Sequence, residues 1–318
     1  MSLLNKVLQG DVLAAAKLIR GLEDDLPGAV AELKDLYLHT GKAHIVGVSG
    51  APGAGKSTLL GCLIGAFRKR NFKLGVVAVD PTSPLSGGAI LGDRLRMQKH
   101  GEDKDVFIRS LASRGWKGGL SRATVNTVHV LDAMGKNVIF VEAVGSGQGE
   151  TDFARLADTS VVVMVPGMGD DIQTIKAGIM EVADIFVINK ADREGAESLK
   201  MSLETMLEMN PCGREDWKPE ILLTTATEDK GIEELTEVLL RHQLFLAHSG
   251  EIEKRRRRRA ELELTMAVED ALRRHLATVD GCYLEKLVDE LAARKTDPNT
   301  AARKVIKLPP TSPFRKGR

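Results

Sequence analysis

The chain has 318 residues, 43% of them apolar, and a formal net charge of +1. That length suits one large α/β domain with appended helices, and the balanced charge leaves no global field to recruit nucleic acid or a membrane surface. No apolar run approaches the ~20 residues needed to span a bilayer, and residues 1–6 lack the basic start and apolar block of a secretory leader, so a cytoplasmic protein is expected.

Residues 1–40 read as a helical extension. Leu4, Val7, Leu8, Val12, Leu13, Ala16 and Ile19 recur at helical spacing, and a second short helix is expected over 29–38. From residue 41 to 248, β-branched apolar runs at 45–49, 74–80, 106–110, 138–144, 160–165, 185–189 and 221–225 alternate with helix-period segments. This pattern predicts an α/β fold, a mostly parallel sheet flanked by helices, with ligands beyond the carboxyl ends of the strands.

Directly after the first strand, Gly50-Ala51-Pro52-Gly53-Ala54-Gly55-Lys56-Ser57 fits G-x-x-x-x-G-K-[ST] at every fixed position, and Thr58 carries on into a helical run. Glycines let the backbone curl so that N–H groups point at phosphate oxygens, and the following helix adds its positive end. Lys56 is placed to reach the β- and γ-phosphates and Ser57 to hold Mg²⁺. A P-loop binding a nucleoside triphosphate is therefore predicted.

Asp80 closes the second strand, and Asp93 lies in the Pro-, Ser- and Gly-rich segment 81–97. Beside a triphosphate both acids read as Mg²⁺ ligands or their supports; alone they read as solvated loop acids or caps. The segment itself has the composition of a switch that orders around γ-phosphate and metal. Arg94, Arg96, Arg109 and Arg114 lie in or near it, and Arg96, three residues after Asp93, is the first choice for a transition-state arginine.

The fourth strand ends in Glu142-Ala143-Val144-Gly145, where many GTPases carry D-x-x-G. The longer carboxylate of Glu142 can act on Mg²⁺ through a water, and Gly145 can offer its N–H to the γ-phosphate. Gln148 can orient the attacking water if the loop curls back; without it, intrinsic hydrolysis is expected to be slow, about 10⁻⁴–10⁻² s⁻¹.

Asn189-Lys190-Ala191-Asp192 follows the sixth strand and matches N-K-x-D. A carboxylate at Asp192 accepts from guanine N1–H and the exocyclic amine, whereas adenine presents an acceptor to an acceptor, a mismatch that supports about 10⁴–10⁵-fold discrimination. Lys190 packs its stem along the base, Asn189 ties this loop to the P-loop, and the segment with Thr225 and Ala226 offers a backbone N–H to guanine O6. GTP and GDP are the expected ligands.

Residues 249–306 read as a C-terminal helical extension, with a long helix over 251–276 and only a partial apolar stripe. Its run of six basic residues, 254–259, wraps the whole circumference among glutamates and lacks interleaved aromatics, so a solvated face or a contact to an acidic patch on a sister subunit is favoured over nucleic acid. Residues 307–318, rich in Pro and basic groups, read as a disordered tail. Cys62, Cys212 and Cys282 form no C-x-x-C pair.

Taken together, segments 47–58, 79–84, 87–94, 141–148, 166–173 and 189–192 resemble the MeaB/ArgK family of GTPases over about residues 40–245. The resemblance implies a GTPase chaperone that gates adenosylcobalamin loading and protects an adenosylcobalamin-dependent acyl-CoA mutase, such as methylmalonyl-CoA mutase. It also implies a homodimer built through the C-terminal helices, metal carboxylates at Asp80, Asp93 and Glu142, and an additional mobile segment at 167–181 with Lys176. The chain departs from the family at 111–119, where Trp116 and basic residues replace small ones, and in its tail. Two other readings stay open: a small-molecule kinase or transport-system ATPase, against which N-K-x-D argues, and a metal-insertion GTPase, for which the seven histidines form no cluster.

Overall fold

The computed structural model describes residues 2–80, 98–112, 120–143, 150–167, 182–209 and 217–306. The chain divides into two compact units, 1–262 and 263–318. The first is built on strands β1 (His44–Gly50), β2 (Leu74–Asp80), β3 (Val106–Ala112), β4 (Val138–Ala143), β5 (Thr159–Met164), β6 (Ile185–Asn189) and β7 (Glu220–Thr224). They form one sheet in the order β3-β2-β4-β1-β5-β6-β7, and every pairing is parallel. The strands appear where the apolar runs predict them, because helices cover both faces and each run is hydrophobic without alternation. β1, β5 and β6 are buried at every residue.

The order sets the position of the site. After β1 the chain builds β2 and β3 to one side, returns to insert β4 between β1 and β2, and then continues on the other side with β5. The carboxyl end of β1 is thus flanked by β4 and β5 where the direction of winding reverses, a place where open α/β sheets leave a crevice.

On one face, helix α4 (Lys56–Lys69) buries Leu59, Leu60, Leu63, Ile64 and Phe67. Phe67 meets Phe140 of β4 edge-on at 5.5 Å. Helix α8 (Ile232–Ser249) adds Leu235, Val238 and Leu239 to the same core. The other face is covered by α5 (Arg122–Ala133), α6 (Glu150–Leu156) and α7 (Ala196–Met209), with Leu203 of α7 packed among Val162, Phe186 and Ile188.

The N-terminal residues form α1 (Leu3–Leu8), α2 (Val12–Glu23) and α3 (Pro27–Tyr37). The apolar spacing over 4–19 suggests one continuous helix, but the structure breaks it at Gly10, whose φ of +83° only glycine adopts easily. Asp11 then starts α2 afresh, its Oδ1 accepting from Ala14 N at 2.9 Å. Glu23 of α2 takes both sides of the Arg109 guanidinium, at 2.8–3.1 Å, so β3 is tied to the helical extension. Arg109, one of the arginines considered for transition-state charge, is committed to this ion pair.

Helix α9 (Glu251–Thr278) carries the basic run. Neither a solvated face nor a sister subunit explains Arg255 and Arg259. Arg255 donates twice to Asp184 at 2.7 Å and once to Asp158 O at 2.7 Å. Arg259 pairs with Asp158 at 2.6 Å. Asp158 and Asp184 stand just before β5 and β6 and are buried, so the run anchors the start of α9 to the amino ends of two central strands. The side chains of Arg257 and Lys254 do face solvent.

The second unit contains the end of α9 with α10 (Gly281–Ala292) and α11 (Pro298–Ile306), which close a small core of Leu287, Ala301 and Val305. Among the described residues, no helix is long and apolar enough to cross a membrane.

Candidate nucleotide site

The P-loop curls because three of its glycines take conformations that a side chain opposes. Gly50 has φ +140°, and a Cβ there would lie 2.1 Å from Val163 O of β5. Gly55 has φ +87°, and its Cβ would lie 2.4 Å from Asn189 Nδ2. Gly53 has φ +79°. Lys56 is buried, and its Nζ donates to Gly50 O at 2.8 Å and Ala51 O at 3.1 Å, holding a cation inside the ring of the loop. Gly55 gives α4 no side-chain cap, so the first-turn N–H groups and the positive helix end face the loop as an anion site.

Ser57 follows on the first turn of α4. Its hydroxyl donates to Glu142 Oε1 at 2.9 Å, and both side chains are buried. Glu142 arrives there because β4 pairs with β1 in the register Val48↔Glu142. On the next strand Ala78 lies opposite Glu142, so Asp80 ends β2 two residues further toward the same edge. A hydroxyl and a buried carboxylate oxygen side by side are the hard oxygen donors that Mg²⁺ takes, so the residues present fit that ion.

The third loop follows β6. Asn189 is 2% exposed and makes three connections. Its Nδ2 donates to Ala54 O at 2.8 Å, while its Oδ1 accepts from Thr224 Oγ1 and Ala226 N at 3.2 Å each. Lys190 turns the chain in the left-handed region at φ +57°, a conformation costing about 1–2 kcal/mol for a residue with a Cβ. Its Nζ reaches Gly53 O at 2.8 Å, so its stem spans the gap between the β6 end and the P-loop. Asp192 is exposed beyond it.

The turn after β7 is closed by Thr225 N to Lys230 O at 3.1 Å and Lys230 N to Thr225 O at 3.3 Å. Gly231 ends it at φ +74°, where a Cβ would meet Leu223 O at 2.2 Å. Within the segment expected to offer a backbone N–H to guanine O6, the N–H groups of Thr225 and Ala226 donate to Lys230 O and Asn189 Oδ1. In this structure they hold the turn against the β6 loop.

The fold therefore brings residues 50–58, Glu142, 189–192 and 225–226 to one edge of the sheet. Asp93, Arg96, Gly145, Gln148 and Lys176 lie outside the described residues, as do Arg94, Arg114 and the side chain of Asp80. Sequence reasoning missed the 3₁₀ turn Gln98–His100, where His100 Nε2 lies 3.0 Å from Gly61 O, and the contact of Cys62 Sγ with Ala226 O at 3.1 Å. Neither carries a motif.

Residues 15–280 match the family described as methylmalonyl Co-A mutase-associated GTPase MeaB. A relative from Pyrococcus horikoshii is 47% identical over 306 residues, covering 96% of each chain. The GTPase ArgK of Escherichia coli is 36% identical over 234 residues, 73% of this chain and 71% of its own. Among solved structures, a crystal structure of a LAO/AO transport system kinase superposes with a TM-score of 0.69 at 26% identity, covering 96% of this chain and 95% of its own. A P-loop at the switch point of an all-parallel sheet, joined through Asn189 to an N-K-x-D loop, accords with these matches, and the chain belongs to the MeaB/ArgK family of P-loop GTPases.

Proposed function

We propose that this GTPase serves as a chaperone of an adenosylcobalamin-dependent acyl-CoA mutase in the cytoplasm, using its nucleotide state to gate cofactor loading and protect the mutase. The family's name, with its methylmalonyl Co-A mutase, supports the partner, and a mouse relative described as a mitochondrial methylmalonic aciduria type A homolog, 33% identical over 73% of this chain and 57% of its own, is consistent with the same acyl-CoA chemistry. The observation that carries the nucleotide part of the reading is the pair of side-chain bonds, Asn189 to Ala54 O and Lys190 to Gly53 O, which couple the guanine-type loop to the P-loop.

In this reading Lys56 exchanges its bonds to the loop carbonyls for β- and γ-phosphate oxygens. Ser57 and Glu142, with Asp80 and Asp93, hold Mg²⁺, whose charge supports the phosphates when it is bound. Lys190 lies along the base and Asp192 accepts at its edge. Gly145 donates to the γ-phosphate, Gln148 orients water, and Arg96 and Lys176 answer the charge that develops on transfer. The C-terminal helices pair two copies of the chain; α9 and α10 leave Leu264, Val268, Tyr283 and Val288 exposed, which supports that assignment.

The test is GTP turnover with and without a purified adenosylcobalamin-dependent acyl-CoA mutase. The reading expects at least about a tenfold rise in rate. An unchanged rate with a mutase that the chain also fails to bind contradicts it. The transport system kinase named in the superposed structure suggests a different product, a phosphorylated acceptor; release of all γ-phosphate as inorganic phosphate separates the two.

A further inference from the structure

A cavity of about 460 Å³ opens beside the nucleotide loops, within the range of about 300–1,000 Å³ usual for small-molecule sites. One end is lined by Thr58, on the first turn of α4, and by Ala226 and Thr227 of the turn after β7. Lys99 and His100 line the cavity as well.

The turn that carries them is held firmly. His100 Nε2 lies 3.0 Å from Gly61 O, and a Cβ on Gly65 would come within 3.8 Å of the His100 ring. The turn Gln98–His100 thus lies against α4 at Gly61 and Gly65. Across the cavity, Cys62 Sγ meets Ala226 O at 3.1 Å, so Ala226 is gripped between Cys62 and Asn189. Burial, with Asp229 alongside, pushes the Cys62 thiol up to about 12, an effect that the Lys99 charge partly opposes. At neutral pH Cys62 is an un-ionised donor, part of the wall and not a nucleophile.

The lining mixes charges, Lys69 and Lys99 against Asp229 and Glu233. Such a mixture suits a neutral group rich in hydrogen-bonding atoms better than a phosphate, whose place is the P-loop. The cavity adjoins both nucleotide loops, since Thr58 follows Ser57 of the P-loop and Ala226 is held by Asn189. A base face left in water forgoes stacking contacts that are typically substantial.

Resting on the guanine-nucleotide reading, we propose that the turn Gln98–His100 is the second wall of the nucleoside pocket. Lys99 lays its stem over the face of the purine and ribose opposite Lys190, and His100 is the positioning residue that fixes the turn on α4. The nucleoside is thereby clamped between two lysines from opposite sides of the sheet edge.

The experiment compares GDP with pyrophosphate, which fills only the phosphate loop, by calorimetry on wild type, Lys99→Ala, Lys99→Met and His100→Ala. Lys99→Ala and His100→Ala are expected to weaken GDP about fivefold and leave pyrophosphate unchanged. Lys99→Met keeps the stem and restores most of the affinity. Unchanged GDP binding in Lys99→Ala overturns the proposal, and so does equal weakening of GDP and pyrophosphate, which marks the turn as mere support for the P-loop. Asp192→Asn is measured alongside. If it keeps its preference for GDP over ADP, the guanine reading itself fails; if it loses that preference while Lys99→Ala binds like wild type, only the second wall is wrong.

Discussion

Arg255 of α9 grips Asp184 at the amino end of β6 through two bonds of 2.7 Å, and that carboxylate is 0% exposed. The same carboxylate accepts from Ser160 N at 2.8 Å and stands 3.6 Å from His242 Nε2. A buried acid held this way depends on its cation, because removing one partner of a buried pair leaves an uncompensated charge. Arg255→Ala should therefore destabilise the first unit by about 3–5 kcal/mol in urea denaturation. Arg257→Ala, two residues along on the solvent side, should be indistinguishable from wild type. Equal effects of the two would show that the run acts only as a charged surface.

Glu142 and Ser57 yield a second prediction. Glu142→Gln keeps a hydrogen-bonding group 2.9 Å from the Ser57 hydroxyl but removes the negative charge next to it. The Mg²⁺ concentration giving half-maximal GTP hydrolysis should rise about tenfold, while GDP binding in EDTA stays unchanged. A loss of GDP binding without metal would mean that Glu142 supports the P-loop and not the ion.

Lys136 predicts a pH dependence. Burial lowers its ammonium to about 8 from 10.5, only partly offset by Asp105, while its Nζ donates to Asp105 O at 2.9 Å. Below pH 8 the lysine is charged in both states and the folded state bears the burial cost. Between pH 8 and 10.5 the unfolded chain binds more protons than the native one, so this group's contribution to stability rises with pH. The stability of wild type relative to Lys136→Met should improve by on the order of 1 kcal/mol between pH 7.5 and pH 10 in parallel denaturation curves. A flat difference would contradict the burial of that charge.

The sheet was legible because burial on both faces demands uninterrupted apolar runs, and such runs stand out in 74–80 and 185–189. The three loops were legible because their chemistry is local: glycines at 50, 53 and 55 for a curled backbone, and Asn189 beside an apolar strand. Long-range pairing was not. Arg255 and Arg259 look like any solvated basic stretch until the fold sets Asp184 and Asp158 beneath them, 71 and 101 residues earlier in the chain. His100 and Cys62 matter through contacts with backbone carbonyls of Gly61 and Ala226, which leave no pattern in the side-chain alphabet. Gly10 broke a helix that apolar spacing alone would continue, since spacing senses burial and not φ.

The central claim is that Asp192 reads the edge of guanine, and base exchange tests it most directly. Binding of GDP, ADP and xanthosine diphosphate is measured by calorimetry on wild type and Asp192→Asn. Xanthine carries a carbonyl where guanine has its amine, so an amide at position 192 can donate to it and a carboxylate cannot. The account predicts that wild type strongly prefers GDP, and that Asp192→Asn loses GDP affinity by about a hundredfold or more and gains xanthosine diphosphate. An Asp192→Asn protein that still binds GDP in preference to xanthosine diphosphate would contradict it.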